Sequence, residues 1–277
     1  MFARIISFTT LFIALAVLGY PCCISAADHD LLEVRAVYEF DNGGDGTIDS
    51  VILTTNQYNP HGDLTETLHA YYSSTGDLDY TDITTYTYDK HHQRLFAEQR
   101  ISLSPAWRAV ITYTNLARNV TEQIKAVDWD GNGTVDYTEK TTTTLNPDGS
   151  AASTVRELFG FAADQRAVTT WTYDYQHHRY VIHASIYYNN VLRGIFQTVV
   201  SLDHRRRPIS SLQDVDEDAD GTTDWSITAD YVYDKLGDVV HETSIDWVGL
   251  PGGAIRSKVT ATFYYARNRR LKLSDEP

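Results

Sequence analysis

Three acidic segments recur at an almost constant interval, and a chain that repeats itself in this way folds as repeated structural units. They occupy residues 41–49, 128–136 and 216–224. From Asp41 to Asp128 is 87 residues, and from Asp128 to Asp216 is 88. The turn glycines Gly62, Gly149 and Gly237 keep the same two intervals, so each acidic loop and the turn after it move as a block. The repeats run approximately over 35–121, 122–209 and 210–277.

Between loops and turns the chain reads as strand. Residues 47–55, 140–145 and 226–233 are rich in β-branched and aromatic side chains, which suit a pleated surface. After residue 27 no segment holds a capped 3.6-residue apolar stripe over three turns. The 19 tyrosines fit the same picture, because Tyr covers a sheet face while its hydroxyl stays wet. Strand and turn lengths give about three hairpins per repeat and about sixteen strands in all. The expected fold is all-β, an antiparallel β-hairpin repeat array forming an elongated or twisted sheet, with a β-propeller-like arrangement as the alternative. Four-stranded propeller blades divide poorly into a period of about six strands. An outer-membrane barrel is disfavoured, because its lipid face needs Leu, Val and Phe where this chain offers Thr, Asp and Lys.

The amino terminus sets the compartment. Arg4 precedes an apolar run over 5–18, and Ser25-Ala26-Ala27 resembles a signal-peptidase site. Residues 1–27 are read as a removed secretory signal, leaving 28–277 as a single β-hairpin repeat domain that is periplasmic, cell-surface or extracellular. Cleavage there removes Cys22 and Cys23, so the mature chain has no disulfide to staple it. It also removes Arg4 and leaves 22 Lys and Arg against 37 Asp and Glu, a net charge of −15. Such a surface repels nucleic acid and anionic lipid. The mature chain carries no membrane span, and its expected partner is an unidentified protein or glycan.

The acidic segments carry the chemistry. Oxygen ligands at loop positions 1, 3, 5 and 9, a carbonyl at 7 and Gly at 6 make a cage for a hard cation such as Ca²⁺. Asp128, Asp130, Asn132, the Thr134 carbonyl and Asp136 fill that pattern in the second loop. In the third, Asp216, Asp218, Asp220, Thr222 and Asp224 do the same. The first has Asp41, Asp45, Thr47 and Asp49, but Gly43 replaces the position-3 carboxylate. A hairpin turn that uses Asp, Asn and Gly only for their backbone preferences is the competing account. It does not require an oxygen side chain at every second position. Glu139 stands where an EF-hand places its bidentate ligand, although in a strand setting it can simply begin the next strand. With Kd about 10⁻⁴ M and about 10⁻³ M calcium, each site adds roughly 1.4 kcal/mol, and three add about 4 kcal/mol. Structural Ca²⁺ is therefore the expected cofactor, in the role disulfides fill elsewhere.

The turn residues carry a resemblance. Tyr233-Asp234-Lys235-Leu236-Gly237-Asp238-Val239 resembles the Tyr-Asp-x-x-Gly-Arg-Leu core of bacterial exported YD (Rhs-type) repeat proteins, and residues 58–64 are a looser copy. The turns after Tyr88-Asp89 and Tyr173-Asp174 are one residue longer and lack the Gly. The resemblance implies an exported, non-enzymatic repeat protein with interspersed calcium loops, and the longer turns favour a short open or twisted hairpin array over a regular shell.

Other candidates are weaker. His92 and His177 are repeat-equivalent and each has a His neighbour, yet no Cys or fixed carboxylate accompanies them in sequence. Trp129 and Trp225 adjoin acidic loops and could stack on sugars or pack beneath the loops. The basic residues Arg256, Lys258, Arg267, Arg269, Arg270 and Lys272 balance the acidic loops. The competing function is a secreted carbohydrate-active enzyme of glycoside hydrolase type, since paired carboxylates are invisible as a spacing in sequence. No Gly-x-Ser-x-Gly elbow, His-Glu-x-x-His or phosphate-cradling glycine loop is present, which favours a binding or structural module.

Overall fold

Residues 31–102, 107–117, 119–128, 130–160, 165–235 and 237–267 are described by the structure, a computed structural model. The proposed signal segment, Trp129 and the basic tail beyond 267 lie outside the described residues. Sixteen strands follow one another: β1 (Leu31–Asp41), β2 (Ser50–Tyr58), β3 (Leu64–Ser73), β4 (Leu78–Tyr88), β5 (Arg94–Ile101) and β6 (Trp107–Ala117). Next come β7 (Val120–Asp128), β8 (Tyr137–Leu145), β9 (Ala151–Phe159), β10 (Gln165–Asp174) and β11 (Arg179–Tyr188). The last five are β12 (Val191–Leu202), β13 (Pro208–Asp216), β14 (Trp225–Tyr233), β15 (Val239–Val248) and β16 (Ile255–Arg267).

Each strand pairs antiparallel with the next, and β16 returns to pair with β1, closing a barrel. The closing ladder runs from Leu31 opposite Arg267 to Asp41 opposite Lys258. The elongated or twisted open array expected from sequence is therefore wrong, and so is the propeller alternative. An open sheet of this length leaves two edges of unpaired N–H and C=O groups, and the first and last strands satisfy each other instead. The three-hairpin period is retained inside the barrel, because the acidic loops join β1 to β2, β7 to β8 and β13 to β14, six strands apart. All odd-to-even connections lie at one rim, so the three acidic loops share it. The Tyr-Asp turns lie at the other.

Those turns correct the YD-repeat reading as well. The hydroxyls of Tyr58, Tyr88, Tyr233 and Tyr265 donate to the carbonyls of Glu33, Leu64, Pro208 and Val239, at 2.6–2.8 Å. Each ties the end of one strand to the start of its hairpin partner. The Asp or Asn that follows accepts turn N–H groups: Asn59 from His61 and Asp63, Asp89 from His91 and Gln93, Asp234 from Gly237 and Asp238. Tyr-Asp here is local chemistry for closing a barrel hairpin, which a repeat shell can share without shared architecture. The Tyr88 turn also has the same span as the Tyr58 turn, with His92 at φ 62 where Gly62 stands at φ 88.

The alternation of the strands divides the wall into two faces. One face includes Ala36, Ala97, Ala109, Val127, Val215 and Ala261, all at 3% exposure or less, and the register places these positions on one continuous side. In a closed barrel that buried side is the interior. Val215 packs with Ala184, Phe196, Trp225 and Ile227, and Val127 with Trp107 and Ala109. Burying each such Val, Ile or Phe contributes about 1.5–3 kcal/mol. Beside that second cluster, the interior between β3 and β9 carries a polar network in which one oxygen, Asp82 Oδ1, is buried without a hydrogen-bond partner. Gln99 donates to Asp82 at 2.6 Å, Lys125 donates to Gln99 at 2.8 Å, and Arg156 forks onto Glu139 with two bonds of 2.8 Å.

The outward positions carry charge in the body of the wall. Glu98 pairs with Arg100 at 2.7 Å and Arg108 at 2.9 Å, Lys140 with Glu122 at 2.8 Å, and Arg166 lies 3.9 Å from Glu157. Thr85, Thr112, Thr170 and Thr172 are exposed on the same side.

Candidate metal centre at the loop rim

Each acidic loop springs from a strand whose last residue is its position-1 aspartate, so that carboxylate is fixed by the sheet. In the second loop Asp128 accepts N–H groups from Gly131, Asn132 and Gly133 at 2.7–3.2 Å. The small burial of Asp128 pushes its carboxyl up, but these backbone donors prevail and hold it below the usual carboxylate range. Gly133 takes φ 89, a left-handed value that lets the chain turn back under the carboxylates. Asn132 accepts from the Thr134 N–H at 2.7 Å, and the Asp136 N–H closes the loop on the Val127 carbonyl at 2.8 Å.

The third loop repeats the plan. Asp216 accepts from Asp220 at 3.1 Å and Gly221 at 2.8 Å, with Gly221 at φ 93. Asp220 accepts both the N–H and the hydroxyl of Thr222, which holds its carboxyl below the ordinary range. Asp224 accepts from the Glu217 N–H at 2.7 Å.

The carboxylates converge in these two loops. Asp128, Asp130 and Asp136 each bring an oxygen within 4.8 Å of the others, and so do Asp216, Asp218 and Asp224. These are the oxygen ligands of positions 1, 3 and 9, and the spacing is one a single divalent cation can bridge. In the first loop Asp41 accepts from Gly43, Asp45 and Gly46, and Asp49 from Asn42. Asp45 accepts from the Thr47 N–H at 2.8 Å. Gly43 leaves position 3 without a carboxylate, and although Asp41, Asp45 and Asp49 are present, no group of three converging acidic residues occurs here among the described residues.

Residues weighed alongside the loops fall elsewhere. Glu139 points into the barrel, where it is paired with Arg156, and is directed away from the loop. Trp225 is 6% exposed in the interior cluster; its indole N–H donates to Glu217 at 2.8 Å, and the Arg256 guanidinium lies 5.8 Å from its ring. Around it a cleft of about 430 Å³ opens beside the third loop, reaching Asp218, Asp224 and Val248. His92 bonds to Asp63 at 2.8 Å and its ring lies 5.0 Å from that of His61, while His177 bonds to Asp174 on a separate turn. The fixed carboxylates that sequence spacing missed come from neighbouring turns and from position i−3.

Two interior acids on β15 also escaped sequence reading. Burial pushes the Glu242 carboxyl up to about 7. Burial raises Asp246 to about 6, with Arg256 working against the rise and Glu217 adding to it. The readable signal was the alternation Glu242, Ser244, Asp246 on one side against His241, Thr243, Ile245, Trp247 on the other, which is reversed in polarity relative to the neighbouring strands.

Comparison with protein families and with curated proteins finds no match. Among solved structures the chain is similar to a porin-like protein from Bacteroides uniformis, with a TM-score of 0.51 and 13% identity over 84% of this chain and 96% of that one. The likeness establishes a porin-like barrel fold and overturns the assignment to YD (Rhs-type) repeat proteins. Among the described residues no helix is long and apolar enough to cross a membrane, a statement that does not bear on crossing by strands.

Proposed function

We propose that this chain is an exported, non-enzymatic barrel with water on both ends and around its outer wall, serving as a binding or structural module whose rim loops hold Ca²⁺. A porin-like fold is in keeping with an exported or outer-membrane protein. The observation that carries the water-facing reading is the charge on the outer wall. An Arg or Lys facing lipid costs about 2–4 kcal/mol near the midplane and an Asp or Glu less, and the outward groups include Glu98, Arg108, Glu122, Lys140 and Asp230.

The calcium reading is supported by the converging carboxylates of the second and third loops; the first loop contributes less for want of a position-3 ligand. When bound, the ion would neutralise carboxylates held close together and cross-link the two strands that flank each loop. The non-enzymatic reading is supported by the placement of the two β15 acids that burial pushes up to about 7 and about 6. Glu242 and Asp246 lie four residues apart on one face of β15, about 13 Å along the strand. Glycosidase carboxylates stand about 5–9.5 Å apart.

Millimolar calcium is expected to raise the melting temperature of the chain from residue 28 onward, and EDTA to lower it again. Asp128→Asn with Asp216→Asn should remove most of the shift, whereas Asp41→Asn should remove little. Identical melts with calcium and with EDTA would refute the calcium reading.

A further inference from the structure

On β12–β15 the outer wall departs from the ion-paired stretch over β5–β10. Register places Val199, Leu212, Thr228 and Ile245 side by side in one row across the four strands. Ser201, Ser210 and Asp230 form the row on one side of it. On the other side Trp247 pairs with Ser226, which faces outward yet is 0% exposed. The indole N–H reaches diagonally to the Thr228 hydroxyl at 3.0 Å, and the Ser226 hydroxyl donates to Asp214 at 2.9 Å. The indole is thereby held over its neighbours, at one end of a groove of about 620 Å³ lined by both the aliphatic and the hydroxyl rows. That volume lies within the range of small-molecule sites.

We infer that this groove binds a neutral oligosaccharide, a ligand class that gives content to the binding-module reading on which the inference rests. An indole anchored at its N–H presents its ring to the apolar C–H face of a sugar. The aliphatic row continues that surface, and the exposed carboxylate of Asp230 with the hydroxyls of Ser201 and Ser210 accepts and donates hydrogen bonds along one edge. Among the described residues the lining holds no Lys, Arg or His, so a phosphate, sulfate or carboxylate ligand would meet Asp230 without a countercharge.

The test is calorimetric titration of the chain from residue 28 with a panel of neutral oligosaccharides of differing linkage. At least one should bind saturably, with Kd in the millimolar range or tighter. Trp247→Ala should weaken that binding at least tenfold and Asp230→Asn severalfold, while Trp247→Phe should retain most of it. Absence of saturable binding to every sugar would overturn the inference. So would binding unchanged in both Trp247→Ala and Asp230→Asn, or equal binding of an alkyl compound that carries no sugar. Calcium-dependent melting measured on the same samples separates the two proposals: loss of the calcium shift with sugar binding intact sinks only the calcium reading, and the reverse sinks only the groove.

Discussion

On β11–β14 the inward side chains include Ala184, Phe196, Val215, Trp225 and Ile227, whereas on β4–β9 the inward positions carry Asp82, Gln99, Lys125, Glu139 and Arg156. Both stretches obey the same two-residue alternation, but the first is buried, whereas Gln99, Lys125, Glu139 and Arg156 in the second are only half-buried. The first is stabilised by apolar area removed from water, the second by hydrogen bonds and ion pairs among polar groups, with Asp82 Oδ1 left without a partner. Apolar burial tolerates changes of shape at graded cost, while a satisfied ion pair is sensitive to the loss of one partner and indifferent to the loss of both. The outer wall follows a similar division, with ion pairs over β5–β10 and the apolar groove over β12–β15.

The largest effects should separate the two interiors. Val215→Asp places a carboxylate with no partner in the apolar cluster and should cost more than about 4 kcal/mol, enough to unfold many domains. Arg156→Met leaves Glu139 without its partner and should cost about 3 kcal/mol in urea unfolding, but Arg156→Met with Glu139→Leu should recover most of that loss. Failure of the double variant to recover would erase the distinction drawn between the two regions.

A smaller effect comes from Glu242, an interior acid without a paired cation among the causes of its shift. Its folded pKa of about 7 lies above the ordinary value of 4.5, so the folded chain holds its proton more tightly than the unfolded chain. Stability from this group is fully present below pH 4.5 and is lost as pH rises to about 7. Glu242→Gln should therefore raise stability at pH 8 by about 3 kcal/mol and change it little at pH 4. Equal gains at both pH values would contradict the assignment.

Much of the wall was legible before the structure. Alternation within 226–233, the Asp, Asn and Gly of the turns, and the interval between Asp41, Asp128 and Asp216 together give strands, hairpins and a six-strand period. Closure was not legible, because the pairing of Ala36 with Phe263 joins opposite ends of the sequence and neither strand differs locally from an edge strand. The Tyr-Asp turns pointed to the wrong family, since Tyr58 and Tyr233 satisfy strand ends by contacts any long meander can use. At the rim, the carboxylates of positions 1, 3 and 9 could be read from spacing. The inward turn of Glu139 could be read only from the register that pairs it with Lys125. Trp247 was hidden because β15 turns its acids inward and its indole outward, against the expectation that apolar side chains face the core.

The central claim is that water, and not lipid, surrounds this barrel. Sedimentation and circular dichroism of the chain from residue 28, purified without detergent, test it most directly. The account predicts a single β-rich species that sediments unchanged when detergent is added and does not float with liposomes. A chain that acquires β-structure only in detergent, or that floats with the vesicles, would contradict it.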